Sequence, residues 1–348
     1  MTSTAAVVDQ RSRTLGVLRL SLTARCNLDC SYCRPDAADP PDLMTLDQQL
    51  RLIRVAVALG AHTLRLTGGE PLLSERLLPL LEVVSQGRRT AGDPLTGLRH
   101  VALTSNGVLL TPDRARLLRA AGLDRITISL DAVDGDVAAR MAGLRGGASA
   151  GERQVQRVLS GFGAARSAGF DPAAGELKLN AVIQQGVNDD QLIPLAELAR
   201  QQRVELRLIE FMDVGNRNGW SSDQVLPAAA MVQRISDRWP LRPLGRDAGG
   251  TARRWSYADG SGCIGVIASI SEPFCGDCNR LRVTADGHAF TCLFSAEGTD
   301  LKPAFGSDRQ LEGAIVDLWR RRGDRYSEDR QVAPGAPVPH AEMAYLGG

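Results

Sequence analysis

Between residues 17 and 211 the chain repeats one rhythm six times, a short β-rich stretch followed by a segment of helical length. The β-rich stretches fall at 17–22, 63–67, 99–105, 125–130, 177–183 and 204–211. Strands spaced by helices in this way predict a parallel sheet with right-handed crossovers. Local punctuation supports the rhythm. Thr45-Leu46-Asp47-Gln48 reads as a capping box opening a helix that runs to Gly60. Thr111 as N-cap, Pro112 at the first position and Gly122 at the close frame another. Further helices are expected from about 74, over about 152–168 and over about 188–201.

Periodicity alone does not separate a flat, doubly wound sheet from a barrel. In either fold, residues suited to chemistry collect at the carboxyl ends of strands. Here 65–70, 104–107, 129–131, 178–180 and 210–213 sit at or near such ends. Six strands feeding one face favour an α/β fold of the TIM-like kind, a curved and incomplete (β/α)6 barrel over 15–220. Beyond Met212 the rhythm breaks. Stretches 215–220 and 245–251 are loop-like, 227–239 reads as a helix, 253–257 and 262–270 as short strands, and 311–322 as a last helix. Residues 221–348 are expected as a C-terminal domain whose Pro- and Gly-rich tail, from 323, wraps rather than packs. Residues 1–14 are expected as a flexible leader and 87–98 as an insertion.

The loop after the first strand holds Cys26, Cys30 and Cys33, spaced CxxxCxxC. Thiolates are the soft ligands that select iron–sulfur clusters or zinc. A structural zinc site closes its tetrahedron with four protein ligands, whereas a reactive site keeps one position open. The next histidine is His62, so no local fourth ligand is on offer. A cubane 4Fe–4S cluster on three thiolates leaves one iron without a protein ligand. Zinc with a remote fourth ligand and plain core cysteines are the competing readings.

A second triad comprises Cys275, Cys278 and, after thirteen intervening residues, Cys292. His288 lies between the last two, so this triad reads either as a Cys3His zinc site or as a second cluster. Cys263 stands apart and reads as a core residue. Next to the triad lies Asn279-Arg280-Leu281-Arg282. If this segment is extended, Arg280 and Arg282 point the same way and make a bidentate clamp for phosphate; an exposed arginine pair is the bland alternative.

Thr67-Gly68-Gly69-Glu70-Pro71 follows the second strand. On these residues alone it is a tight turn, or a place where backbone approaches a ligand closely. Arg19, mid-strand and opposite in parity to Leu18 and Leu20, points a charge into the barrel, where it needs a ligand or a salt bridge. Lys178 carries the same two readings. Gly347-Gly348 ends the sequence, as a frayed terminus or as a thread without side chains that fits a narrow pocket.

Composition narrows the classes. Hydrophobic residues make up 43% of the 348, enough for a sizeable core. Forty-one basic against 40 acidic residues leave no global charge to attract nucleic acid or a membrane surface. No apolar run approaches the ~20 residues of a membrane span, and the start lacks the pattern of a secretory signal. Six of the seven cysteines fall in two tight clusters, unlike a disulfide scaffold, so a cytoplasmic setting is expected.

Taken together, these residues resemble the radical S-adenosylmethionine (SAM) GTP 3′,8-cyclases of molybdenum-cofactor biosynthesis. The stretches that carry the resemblance are LRLSLTARCNLDCSYCRP, RLTGGEPLL, LTSNG, ISLDAVD with ARMAG, KLNAVI, IEFMDVG and PFCGDCNRLRVTADGHAFTCLF. The chain departs from the family at Ala24, where an Asp is usual. The resemblance implies two 4Fe–4S clusters, with Cys26, Cys30 and Cys33 holding the one that binds SAM and Cys275, Cys278 and Cys292 the other. It implies SAM contacts from Tyr32, Gly69, Ser129 and Met212. It also implies GTP contacts from Arg19, Arg65, Thr104, Lys178, Arg280, Leu281 (through its backbone) and Arg282, and a tail, Gly347-Gly348, that reaches the active site. The implied chemistry is reductive cleavage of SAM to a 5′-deoxyadenosyl radical, hydrogen abstraction from C3′ of GTP and closure onto C8 of guanine. The implied partners are an electron donor of flavodoxin or ferredoxin type, a downstream cyclic pyranopterin monophosphate synthase and a second copy in a homodimer.

Overall fold

A computed structural model describes residues 7–33, 38–332 and 340–347. The six expected strands are present as β1 (Val17–Ser21), β2 (Thr63–Thr67), β3 (His100–Ser105), β4 (Arg125–Ser129), β5 (Leu177–Ile183) and β6 (Glu205–Glu210). Between them lie α1 (Leu46–Ala58), α2 (Leu77–Arg89), α3 (Pro112–Ala120), α4 (Gly135–Met141), α5 (Gly147–Ser167) and α6 (Leu192–Gln201). The capping box at α1 is formed, Gln48 N donating to Thr45 Oγ1 at 3.2 Å and Thr45 N to Gln48 Oε1 at 2.8 Å.

In β1, β2 and β6 apolar and charged side chains alternate between the two faces. Leu18 and Leu20, Leu64 and Leu66, Leu206 and Leu208 are buried against the helices, while Arg19, Arg65 and Arg207 face one cavity on the other side. A parallel sheet covered by helices on both faces would read as continuous apolar runs. This one is covered on one face only, and its other face is polar because it is the wall of a site.

The C-terminal third contributes α7 (Ala228–Arg238), β7 (Leu241–Arg246), β8 (Arg253–Tyr257), β9 (Cys263–Ile267), β10 (Arg280–Val283), β11 (His288–Phe290), β12 (Thr299–Asp300), α8 (Asp308–Arg321), α9 (Tyr326–Val332) and α10 (Met343–Leu346). All twelve strands among the described residues form one sheet, in the order β12-β11-β10-β1-β2-β3-β4-β5-β6-β9-β8-β7. β10 joins β1 in parallel and β9 joins β6 in parallel, so the C-terminal third extends the six-unit sheet at both edges. β9 and β10 are not neighbours, so the barrel stays open. Inner-face residues from β1 through β6, β9 and β10 nevertheless line one cavity, which requires the sheet to curve around it.

Several expectations need correction. The short helix α4 was not expected; Asp134 caps it by accepting from Val137 N at 3.0 Å, and Gly135 in its first turn masks it in the sequence. Gly135 is there for contact, because a Cβ on it would lie 2.6 Å from Ala148 O of α5. Helix α2 starts at Leu77 because Pro71–Leu73 first makes a 3-10 turn capped by Glu70. The stretch 87–98 folds back as a second 3-10 turn, Pro94–Gly97, that buries Leu95 beside α1 and α2. The tail packs as well as wraps, since Leu346 is fully buried with Val214, Phe290 and Phe294. Residues 7–14 are held in place rather than loose, with Val8 bridged to Thr14 and Asp9 and Arg13 buried. No helix among the described residues is long and apolar enough to cross a membrane.

Candidate active site

The cysteine loop after β1 is clamped between two turns. On one side Gly69 N donates to Thr23 O and Glu70 N to Arg25 O, each at 2.8 Å. A Cβ on Gly69 would lie 2.2 Å from Arg25 O, so only glycine lets the two backbones come this close. On the other side Asp29 N donates to Ala142 O at 3.2 Å and Ser31 N to Met141 O at 3.1 Å. A Cβ on Gly143 would meet Asp29 O at 1.9 Å. Asp39 closes the start of the loop, accepting from Thr23 Oγ1 at 2.6 Å, Ala24 N at 2.7 Å and Arg25 Nε at 2.9 Å. With Ala at 24, Asp39 is the carboxylate that ties this loop together.

Glu70 is fully buried and accepts from Leu72 N at 3.0 Å, Ser105 Oγ at 2.8 Å and Asn106 N at 2.7 Å. Burial outweighs these bonds and lifts its carboxyl to about 7. Asn106 in turn donates to Asn27 Oδ1 at 2.8 Å and lies 3.7 Å from Cys26 Sγ. Tyr32 donates to Asp131 Oδ2 at 2.8 Å, and burial raises Asp131 to about 6.

All six triad cysteines line a single cavity of about 550 Å³. So do Arg19, Arg65, Thr104, Arg280 and Arg282 and, beside the first triad, Tyr32, Gly69, Ser129 and Met212. Gly347 reaches the same place from the tail, its carbonyl accepting from Arg19 Nη2 at 2.7 Å and from Arg282 Nη1 at 3.5 Å. Gly348 lies outside the described residues. One expected contact is placed elsewhere. Lys178 is not on the cavity wall, and its Nζ pairs with Glu205 Oε2 at 2.7 Å. Leu281 is fully buried on the opposite face of β10, so only its backbone adjoins the site.

The wall is strongly cationic. Arg65 donates to Thr104 Oγ1 at 3.1 Å. Burial first, then Arg207, Arg125 and Arg280, hold Arg65 down at about 10. Burial and then Arg280 act the same way on Arg282, also at about 10. Burial and then Arg282, Arg65 and Arg280 hold Arg19 well below its ordinary range. Like charges packed into a dry wall are costly unless an anion joins them. Arg125 and Arg207 were not singled out in the sequence, although both share the inward parity of Arg65.

The donor set fits iron–sulfur clusters. The three thiols of each triad are near enough that ionising one opposes ionising the next, and burial chiefly pushes Cys33 up to about 12 and Cys292 up to about 11. Ionising them as ligands calls for a strongly cationic group among them. Among the described residues no three Cys, His, Asp or Glu side chains converge on the position of a single ion. A cubane, which meets its ligands at separate corners, does not need such convergence. His288, the fourth ligand of the Cys3His zinc alternative, is off the cavity wall, its Nδ1 3.2 Å from Asp286 Oδ2 and 3.3 Å from Tyr345 OH. Cys263, at the start of β9, is not on the cavity wall either.

Three thiols on a clamped loop at the carboxyl ends of parallel strands define the architecture of a radical-SAM enzyme. The Radical SAM superfamily matches residues 20–199 and Molybdenum Cofactor Synthesis C matches residues 204–328. A GTP 3′,8-cyclase of Synechococcus sp. (strain CC9605) is 71% identical over 348 residues, all of both chains. One of Xanthomonas axonopodis pv. citri (strain 306) is 44% identical, covering 99% of this chain and 100% of its own. Streptococcus suis SuiB, solved bound to S-adenosylmethionine, superposes with a TM-score of 0.58 over 91% of this chain and 68% of that one, at 13% identity, a likeness of fold alone. The chain belongs to the GTP 3′,8-cyclase family of the radical SAM superfamily.

The tail's entry is sterically exacting. Gly347 has φ +70°, and a Cβ there would lie 2.5 Å from Thr67 Cγ2. A left-handed backbone costs a non-glycine residue about 1–2 kcal/mol before any clash. Gly347→Ala is therefore expected to slow GTP-dependent turnover about tenfold or more while leaving the melting temperature near that of the wild type. Unchanged turnover would detach the tail from the chemistry.

Proposed function

We infer that this chain is a radical-SAM lyase, a GTP 3′,8-cyclase, which uses SAM and 4Fe–4S clusters to convert GTP to (8S)-3′,8-cyclo-7,8-dihydroguanosine 5′-triphosphate, the first step of molybdenum-cofactor biosynthesis. The observation that carries the reading at the level of the site is one cavity shared by two thiol triads and a wall of arginines.

In this proposal Cys26, Cys30 and Cys33 hold the cluster that binds SAM, and Cys275, Cys278 and Cys292 hold the second, in an incomplete TIM-like barrel extended by the C-terminal strands. When bound and reduced, the first cluster supplies the electron that cleaves SAM. The chain's own residues supply position, charge and shelter. Gly69, Tyr32, Ser129 and Met212 surround SAM beside the first triad. Arg19, Arg65, Arg280 and Arg282, with Thr104 and the backbone of Leu281, take the anionic GTP through charge-assisted bonds worth about 1.5–3 kcal/mol each. Lys178 joins that set only by turning from Glu205 into the cavity. Gly347 brings a backbone without a side chain up to Arg19, where it helps keep water and stray hydrogen donors from the radical. A flavodoxin- or ferredoxin-type electron donor, a downstream cyclic pyranopterin monophosphate synthase, a homodimeric assembly and a cytoplasmic setting belong to the same proposal.

Anaerobic turnover with SAM and a reductant tests the reading. The release of 5′-deoxyadenosine is expected to rise when GTP is added, and a flat response would end the substrate assignment. Iron analysis adds an independent measure, about eight irons per chain being expected for two cubanes.

A further inference from the structure

The N-terminal stretch 7–14 has no part in the chemistry described so far, yet it carries two of the most buried charges in the protein. Asp9 and Arg13 are each 5% exposed, and they meet Arg322, 3% exposed, from the end of α8. Asp9 Oδ2 accepts from Arg13 Nε at 2.6 Å and from Arg322 Nη1 at 3.2 Å. Both guanidinium groups then reach the second cysteine loop. Arg13 Nη1 donates to Cys275 O at 2.7 Å, and Arg322 Nη1 donates to Cys278 O at 2.7 Å. The third cysteine is tied in less directly. Arg13 Nη1 also donates to Asp324 O at 2.9 Å, and the Asp324 carboxylate accepts from Thr291 Oγ1, next to Cys292, at 2.5 Å. Trp319 braces the pair, its ring 4.7 Å beneath the Arg322 guanidinium and its Nε1 donating to Arg13 O at 3.0 Å.

We propose that Asp9, Arg13 and Arg322 are positioning residues for the second triad, a buried ion-paired clamp that grips the carbonyls of Cys275 and Cys278 and so keeps both thiols turned into the cavity. The clamp rests on the two-cluster reading of the site. Stability alone is a poor explanation for it, because a buried ion triad is often replaced by apolar residues at no loss. What apolar residues cannot do is donate to two ligand carbonyls at once. The clamp also sets the Arg322 guanidinium beside Cys278, where Arg280 Nη2 already donates to the sulfur at 3.1 Å. Charge near a cluster is one of the levers on its potential.

Arg13→Gln and Arg322→Gln, reconstituted anaerobically beside the wild type, test the clamp through iron content and an EPR-monitored redox titration. Wild type is expected to hold about eight irons, and the variants to fall toward about four. Second cluster that still forms in Arg322→Gln is expected to titrate at a more negative potential, which a merely structural residue would not cause. If Arg322→Gln does not fold, Arg13→Lys carries the test, since it keeps the charge toward Asp9 but has a single nitrogen that cannot span Asp9, Cys275 O and Asp324 O together. It too should lose second-cluster iron. Variants with wild-type iron and wild-type potential would overturn the clamp while leaving two clusters standing. Wild type with only about four irons would instead sink the two-cluster reading, and the clamp with it.

Discussion

Cys30→Ser is expected to abolish 5′-deoxyadenosine formation altogether, whereas Cys278→Ser is expected to keep slow, GTP-independent SAM cleavage and lose only the rise caused by GTP. The difference follows from geometry. Cys30 sits in the loop clamped by the Gly69 and Ala142 turns, beside Tyr32 and Asp131, where SAM is proposed to bind. Cys278 belongs to a separate loop beside Arg280 and Arg322, whose charges outweigh the effect of burial and hold its thiol at about 6. A serine hydroxyl is a hard, reluctantly ionised ligand in place of a soft thiolate, so each change should cost its own cluster and spare the other. Chromatography of 5′-deoxyadenosine with and without GTP, together with iron counts, reads both effects. Equal behaviour of the two variants would contradict the division of labour between the triads.

Arg65→Ala is expected to weaken GTP binding by about 10–100-fold, the equivalent of losing one charge-assisted bond of about 1.5–3 kcal/mol. The same change should make the ligand-free protein more stable. An arginine does not surrender its proton at working pH, so the cost that lowers Arg65 to about 10 stays in the fold as burial and repulsion from Arg207, Arg125 and Arg280. For a base whose folded value is depressed, the unfolded chain holds the proton more tightly, so wild-type stability rises as pH climbs past about 10. The variant's advantage should therefore be largest near neutral pH and shrink in alkali. Equilibrium dialysis with GTP and thermal melts without it measure the pair. Unchanged affinity would remove Arg65 from the phosphate site, and a lower melting point would mean that its bond to Thr104 outweighs the repulsion.

Local pattern made much of the site legible. Alternation located the six central strands, and Arg19 could be assigned to the inner face from parity alone, whereas Arg65 entered through the family resemblance. Arg125 and Arg207 face the same cavity, but no motif in the sequence sets them apart from the many other arginines. What local pattern could not reveal was pairing across the length of the chain. Nothing near Arg280 announces that its strand lies beside β1, in register with Val17. Nothing near Asp9 announces Arg322, and nothing in two terminal glycines announces Arg19. Helix α4 was hidden for the opposite reason, since Gly135 is a poor helix former chosen for its contact with α5 rather than for its propensity.

The open sheet bears on how the chain is made. β1 leaves the ribosome long before the neighbour that covers its outer edge, β10, which follows it by more than 250 residues. β6 likewise waits for β9. Through most of synthesis the nascent sheet carries an unpaired parallel edge, the template on which strands of other chains aggregate. Pairing between such distant segments is also slow to form. The newborn chain should thus depend on chaperones until β9 and β10 emerge, and truncations that remove β10 should accumulate as aggregates rather than as a smaller folded barrel.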